Sequence, residues 1–176
     1  MTSRLIRIPP LIIAVLASAC GGGEEGESPK RFDDPAGYSL EVPEGWSLSP
    51  RTTGDGLIRA DITGGDGTGI QVRLMPLSQS GFDAAVSRLL RDYIRDMSGH
   101  WGGNVVETGR ITPEVGERAL TVRLRASRDD GSVWYLQESF VSSGDMLVVL
   151  QGGCAWTERG LARPAFDAMV ESISFP

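Results

Sequence analysis

The strongest constraint on this chain is a run of eight apolar residues. Phe82, Ala85, Val86, Leu89, Leu90, Tyr93, Ile94 and Met97 fall at i, i+3, i+4, i+7, i+8, i+11, i+12 and i+15, a continuous stripe at helical period. Arg88, Arg91, Asp92, Arg95 and Asp96 lie off the stripe, so the segment predicts an amphipathic helix that buries one side. Ser80 is its expected N-cap and Gly99 its expected left-handed stop.

On both sides of this helix the apolar period drops to two, which predicts strands. Tyr38, Leu40 and Val42 alternate with polar residues, Pro43-Glu44-Gly45 turns the chain, and Trp46 and Leu48 resume the apolar face. Ile58, Ala60 and Ile62, then Ile70, Val72 and Leu74, repeat the pattern across a "GGDG" turn. Beyond the helix, Val105 to Ile111 is a candidate strand, and Leu120, Val122, Leu124 and Ala126 point inward from the next. "SVWYLQESFVS" follows across "RDDG", and "MLVVLQG" reads as a strand buried on both faces. Pro164 suits the first turn of a short last helix, with Phe166, Met169, Val170 and Ile173 on its apolar side. Strands in runs around two helices predict an α+β fold, a largely antiparallel sheet packed with one long and one short helix. There is no internal repeat.

The N-terminus has a different logic. Arg4 and Arg7 precede an apolar stretch from Ile8 to Ala19, the layout of an export signal. Twelve residues with Pro9 and Pro10 among them fall short of the roughly 20 needed to span a bilayer. Two cleavage readings remain. Ala17-Ser18-Ala19 satisfies ordinary signal peptidase, which would release a soluble chain beginning at Cys20. "LASAC" also resembles the lipobox of bacterial lipoproteins, and this is the reading we favour. That resemblance implies that the Cys20 thiol takes a diacylglyceryl group before cleavage, and that acyl chains such as palmitate hold the protein at a membrane. Leu16 stands four residues before the cysteine, whereas leucine at the third is the commonest pattern. The next residues, "GGGEEGESPKR", include Glu24, Glu25 and Glu27 and no apolar side chain, so they predict a tether. Its root-mean-square reach is roughly 18 Å. The expected organisation is a lipoprotein signal over residues 1–19, a lipidated cysteine and tether over 20–31, and one domain over 32–176 of the bacterial cell envelope, outside the cytoplasm.

Loss of residues 1–19 removes Arg4 and Arg7, leaving 15 basic against 23 acidic residues, a formal charge of −8. A chain this acidic has no electrostatic reason to bind nucleic acid or an anionic leaflet. Cys20 and Cys154 are the two cysteines. They would be able to pair in an oxidising compartment, but lipidation of Cys20 would consume one of them and leave Cys154 as a small buried hydrophobe.

The order of these pieces, with "GYSLEVPEGW" early, an amphipathic helix, long strands and a final helix ending in "SISF", resembles the PsbP-like superfamily, including its DcrB-like and LpqN-like bacterial lipoproteins. The similarity spans about Phe32 to Phe175. It implies a non-enzymatic accessory or binding module, and it offers no catalytic residue to carry over. Calcium sites of photosynthetic members rest on positions that have no match here.

The remaining motifs have plain explanations. "GGDGTGIQV" resembles a calcium-binding nonapeptide, but it occurs once and has Gly69 where that motif needs Asp, so a hairpin turn suffices. His100, the only histidine, stands by Trp101 in a glycine-rich stretch with no Gly-x-Ser-x-Gly nucleophile to serve. Asp129-Asp130 before Gly131 is a turn. No catalytic residue, cofactor or metal is expected, and a monomer is expected. One feature invites a functional reading. Arg59, Arg73, Arg123 and Arg125 lie opposite the apolar sets of their strands and form a candidate partner face for an acidic protein. The alternative from another class is a small hydrolase or ligand carrier with a pocket beside the long helix.

Overall fold

The period-two segments pair antiparallel throughout, because hairpins and meanders connect them. The computed structural model describes residues 30–51, 57–65, 67–77, 81–101, 104–111 and 118–176. Among these, the elements run β1 (Lys30–Asp34), β2 (Tyr38–Val42), β3 (Ser47–Pro50), β4 (Ile58–Thr63), β5 (Gly69–Pro76), α1 (Gly81–His100), β6 (Val105–Ile111), β7 (Arg118–Ser127), β8 (Val133–Ser143), β9 (Met146–Ala155) and α2 (Arg159–Glu171). A 3-10 turn, Trp156–Glu158, joins β9 to α2. Seven strands form one sheet in the order β3-β4-β5-β9-β8-β7-β6, and β1-β2 is a separate hairpin. Helix α1 carries the chain from β5 to the far edge, and β6 to β9 return as a meander that closes against β5. No helix among the described residues is long and apolar enough to cross a membrane. Residues 1–29, including Cys20, lie outside the described residues.

The sheet separates two cores. On one face, Phe82, Val86, Leu90 and Tyr93 of α1 pack on Val122, Leu124, Leu136, Phe140 and Val149. On the other, Phe166, Met169 and Val170 of α2 join Tyr38, Leu40 and Val42 of the hairpin over Ile62, Ile70, Val72 and Leu150. The two central strands β8 and β9 are buried on both faces, as a sheet covered on both sides requires. In β9, a Cβ at Gly152 would meet Ile70 Cγ1 at 2.7 Å and Phe166 Cζ at 3.1 Å, so the missing side chain lets α2 sit close to the sheet.

Four local expectations are corrected. Strand β1 starts at Lys30, so Lys30 and Arg31 belong to the domain and not to the tether. Gly99 does not end α1; the helix reaches His100, and the Trp101 N–H donates to the Met97 carbonyl at 2.8 Å. Leu89 lies on the flank of the stripe, partly buried, while Leu90 is its centre. Helix α2 begins at Arg159, which places Pro164 inside it and not in its first turn. The turns expected at "GGDG" and "RDDG" do join β4 to β5 and β7 to β8, with Gly67 and Gly131 at φ 82°.

Candidate functional site

The four arginines do not share a face. Val72 of β5 belongs to the core under α2, whereas Val122 and Leu124 of β7 belong to the core under α1. Residues alternating with them therefore point in opposite directions too. Arg73 faces the α1 layer, paired across the ladder with Val149, while Arg123 and Arg125 face the α2 layer. A single outward basic face would require one core, and this sheet has two.

Two of the arginines are committed to internal bonds. Arg59 forks onto Asp34, with Nε 2.8 Å from Oδ2 and Nη2 2.7 Å from Oδ1, tying β4 to the β1-β2 hairpin. Burial pushes the Asp34 carboxyl up, but the Arg59 hydrogen bond, the Ala36 N–H and the Arg59 charge together hold it below the usual value. Arg123 is only 6% exposed, and its Nη2 donates to both oxygens of Asp167 on α2 at 2.8 Å. Its Nε lies 3.2 Å from the Tyr135 hydroxyl. That hydroxyl donates to Gln137 Oε1, and Gln137 Nε2 donates to Asp167 Oδ1 at 3.1 Å. Burial pushes the Tyr135 hydroxyl up to about 12, against the Arg123 charge. Thr121 and Ser139 extend the network at 2.9 Å. A small pocket lined by Gln137, Ser139, Ile70, Gly152 and Phe166 lies under α2 beside it, with room for about one water molecule.

A second buried polar group lies under α1. Glu138 faces Gln151 across the β8-β9 ladder and Val122 across β7-β8. Its Oε2 has no hydrogen-bond partner among the described residues. Burial pushes its carboxyl up to about 8, against the charge of Arg73. Tyr93 closes the group from α1 through a hydrogen bond with Gln151, and burial first, then the charge of Glu138, raises its hydroxyl well above the ordinary value. Sequence reading missed Glu138. The only available signal was its place on a strand with apolar residues on both sides.

The exposed chemistry lies elsewhere, at the start of α2. The Trp156 ring, half-buried against the α2-side core, is approached by two exposed guanidiniums, with Arg159 4.3 Å and Arg125 5.6 Å from its centroid. Val106, 61% exposed, pairs with Arg125 on the neighbouring strand. Other motifs have settled places. Cys154 is buried in the α2-side core. His100 is the last residue of α1, 3.2 Å from Arg128 Nη2, and Trp101 is buried beneath the Arg128 guanidinium. Asp130 accepts the Ser132 N–H at 2.8 Å, as a turn aspartate does.

No protein-family model and no curated protein sequence matches this chain. Solved structures do. The cyanobacterial PsbP (CyanoP) of Synechocystis sp. PCC 6803 superposes with a TM-score of 0.67 at 15% identity, covering 90% of this chain and 98% of that one. The fold resembles that of PsbP. LpqN of Mycobacterium tuberculosis, involved in cell envelope biogenesis, matches with a TM-score of 0.58 at 16% identity over 86% of this chain and 87% of its own. The Ran-binding protein Mog1p of Saccharomyces cerevisiae gives 0.58 at 13% identity over 84% and 95%. At these identities the likeness concerns architecture: a PsbP-like antiparallel sheet with two helices.

Proposed function

We propose that this protein is a membrane-anchored lipoprotein of the bacterial envelope, and that its PsbP-like domain is a non-enzymatic accessory or binding module. The observation that carries this reading is "LASAC" at residues 16–20, followed by nine residues rich in Gly and Glu that lead into β1. The envelope role of LpqN, which shares the fold, supports it. Intact mass of protein extracted from membranes tests the anchor: loss of residues 1–19 and a diacylglyceryl addition at Cys20 are expected. Cys20→Ala should accumulate as an uncleaved precursor. A soluble, trimmed Cys20→Ala product would overturn the anchor in favour of a secreted protein.

A carrier or hydrolase working beside α1 is the second reading. It draws on Glu138, a raised carboxyl with an unbonded oxygen next to Arg73, Tyr93 and Gln151. Its test is Glu138→Gln, which should then abolish turnover or ligand capture in a screen of ester substrates and small carboxylic acids.

A further inference from the structure

The seven-stranded sheet has two edges of different character. Strand β3 ends it on one side with four residues and Pro50, which has no N–H to offer. Strand β6 ends it on the other with seven residues and no proline. An edge strand presents a row of outward N–H and C=O groups, and on β6 that row is flanked by apolar side chains. Val106, 61% exposed, and Ile111, 42% exposed, are two of the three large apolar residues left open among the described residues.

The partners on β7 show which way each residue of β6 points. Val106 stands opposite Arg125 and Ile111 opposite Thr121, so both lie on the α2 side. Glu107 stands opposite Leu124 and Arg110 opposite Val122, so both lie on the α1 side. Residues an odd number apart in a regular strand point to opposite faces. The bulge between Glu107 and Gly109 cancels that alternation. It lets Arg110 donate to both Glu107 oxygens, at 3.0 and 3.1 Å. The extra residue, Thr108, is bonded inward, its hydroxyl donating to the Arg123 carbonyl at 3.2 Å.

This order of residues is complementary to itself. A second β6, laid antiparallel with the two-fold axis between Thr108 and Gly109, sets Val106 opposite the partner's Ile111 and Glu107 opposite the partner's Arg110. Each pair occurs twice. Apolar meets apolar on the α2 side, and on the α1 side the two Glu107–Arg110 forks join into a ring of alternating charge. Shifting the pairing by one residue sets Arg110 opposite Val106, or Glu107 opposite Ile111, and loses both matches.

The symmetry also suits an anchored chain. Antiparallel pairing of one edge with itself puts the two-fold axis perpendicular to the sheet, so like faces stay together. Both α2 layers, each with its β1-β2 hairpin, then lie on one side. Both chains enter at Lys30 on that side, as two anchors in one membrane require.

We infer that the protein self-associates as a two-fold dimer through the β6 edge, in the register Val106–Ile111 and Glu107–Arg110. A second copy thus replaces the monomer expected from sequence. The pairing goes beyond the anchored-module reading and does not depend on it.

The test takes the processed protein as cells produce it, in a density-matched detergent where intact mass shows attached lipid. That mass decides the anchor, and sedimentation equilibrium decides the dimer. Wild-type protein is expected to reach twice the monomer mass at or below about 100 μM. Glu107→Arg sets arginine opposite arginine and Arg110→Glu sets glutamate opposite glutamate, so each alone should weaken association about tenfold. Mixed in equal amounts, the two variants face each other with opposite charges and should recover wild-type association as mixed dimers. Val106→Lys should weaken association with both charges intact. A wild type that stays monomeric at about 100 μM overturns the inference. So does a dimer that Glu107→Arg and Val106→Lys leave unchanged, or a mixture no stronger than its parts. An unchanged circular dichroism spectrum and melting midpoint in each variant separate lost pairing from lost folding.

Discussion

Nη2 of Arg123 lies 2.8 Å from Oδ1 and 2.8 Å from Oδ2 of Asp167, so one buried guanidinium nitrogen on β7 holds the carboxylate of α2. This contact explains how a charged residue survives buried between the sheet and α2. Tyr135 and Gln137 receive or supply the remaining bonds, and Arg163 on the next turn of α2 stands 3.6 Å from the same carboxylate. A buried charge left alone costs more than the pair contributes, so the pair is tested by breaking it.

Arg123→Met is expected to destabilise the domain by about 3 kcal/mol, the low end for breaking a buried pair, because Asp167 is partly open to water. Asp167→Asn should cost at least as much, since its amide oxygen still accepts a bond but the more deeply buried Arg123 charge loses its counter-ion. In a double-mutant cycle by urea denaturation, the two changes should couple by at least about 1 kcal/mol. Additive effects would mean that the contact does not fix α2 to the sheet.

The glycines of β9 make a sharper geometric test. A methyl at Gly152 would fall 2.7 Å from Ile70 Cγ1 and 2.9 Å from the Gly69 carbonyl oxygen, and backbone cannot yield as a flexible side chain can. Gly152→Ala should therefore cost about 1–3 kcal/mol as an overpacking change. At Gly160, in the first turn of α2, nothing lies within 4 Å of the added atom. Gly160→Ala should raise stability by up to about 1 kcal/mol through helix propensity. Similar losses at both positions would place α2 farther along or away from the sheet than described.

These residues also show where sequence reading stops. The strands, the turns and the amphipathic helix follow from local period, because each needs only its own residues to reveal which side is apolar. Which side of the sheet that is cannot be read locally. Val72 and Val122 look alike in sequence, yet they serve cores on opposite faces. The doubly buried "MLVVLQG" signalled a sheet covered twice, and extending that signal to β5 and β7 would have separated Arg73 from Arg123. Strand β1 escaped because "KRFDD" has one apolar residue and gains its pairing only from β2, through Phe32 opposite Leu40.

The phase of α1 is open to direct measurement. Leu90 is buried between the helix and the sheet, so Leu90→Ala should cost about 2–5 kcal/mol. Leu89, on the flank, should cost distinctly less. Arg91 and Arg95 are exposed, and replacing either by Ala should change stability by no more than about 0.5 kcal/mol. A larger loss at Leu89 than at Leu90 would rotate the helix from its described position.

Glu138 predicts how stability depends on pH. The groups facing it are Arg73 from β5, Gln151 from β9, Tyr93 from α1 and Val122 from β7. Burial raises its carboxyl from 4.5 to about 8 in the folded chain, with Arg73 opposing the rise. Below pH 4.5 both folded and unfolded chains hold the proton, and the group contributes no pH dependence. Between pH 4.5 and about 8 the unfolded chain releases it while the folded chain keeps it, so stability falls as pH rises. Above that window both forms are ionised and the penalty is complete. Each pKa unit of such displacement corresponds to about 1.4 kcal/mol, enough to dominate the profile of one domain. Glu138→Gln retains the neutral shape without the proton, so it should flatten the profile across this window and exceed the wild type in stability at pH 8. Urea denaturation of both proteins at pH 5, 6.5 and 8 measures it. Parallel profiles would show that Glu138 is ionised in the fold, held by Arg73 as an ion pair beneath α1.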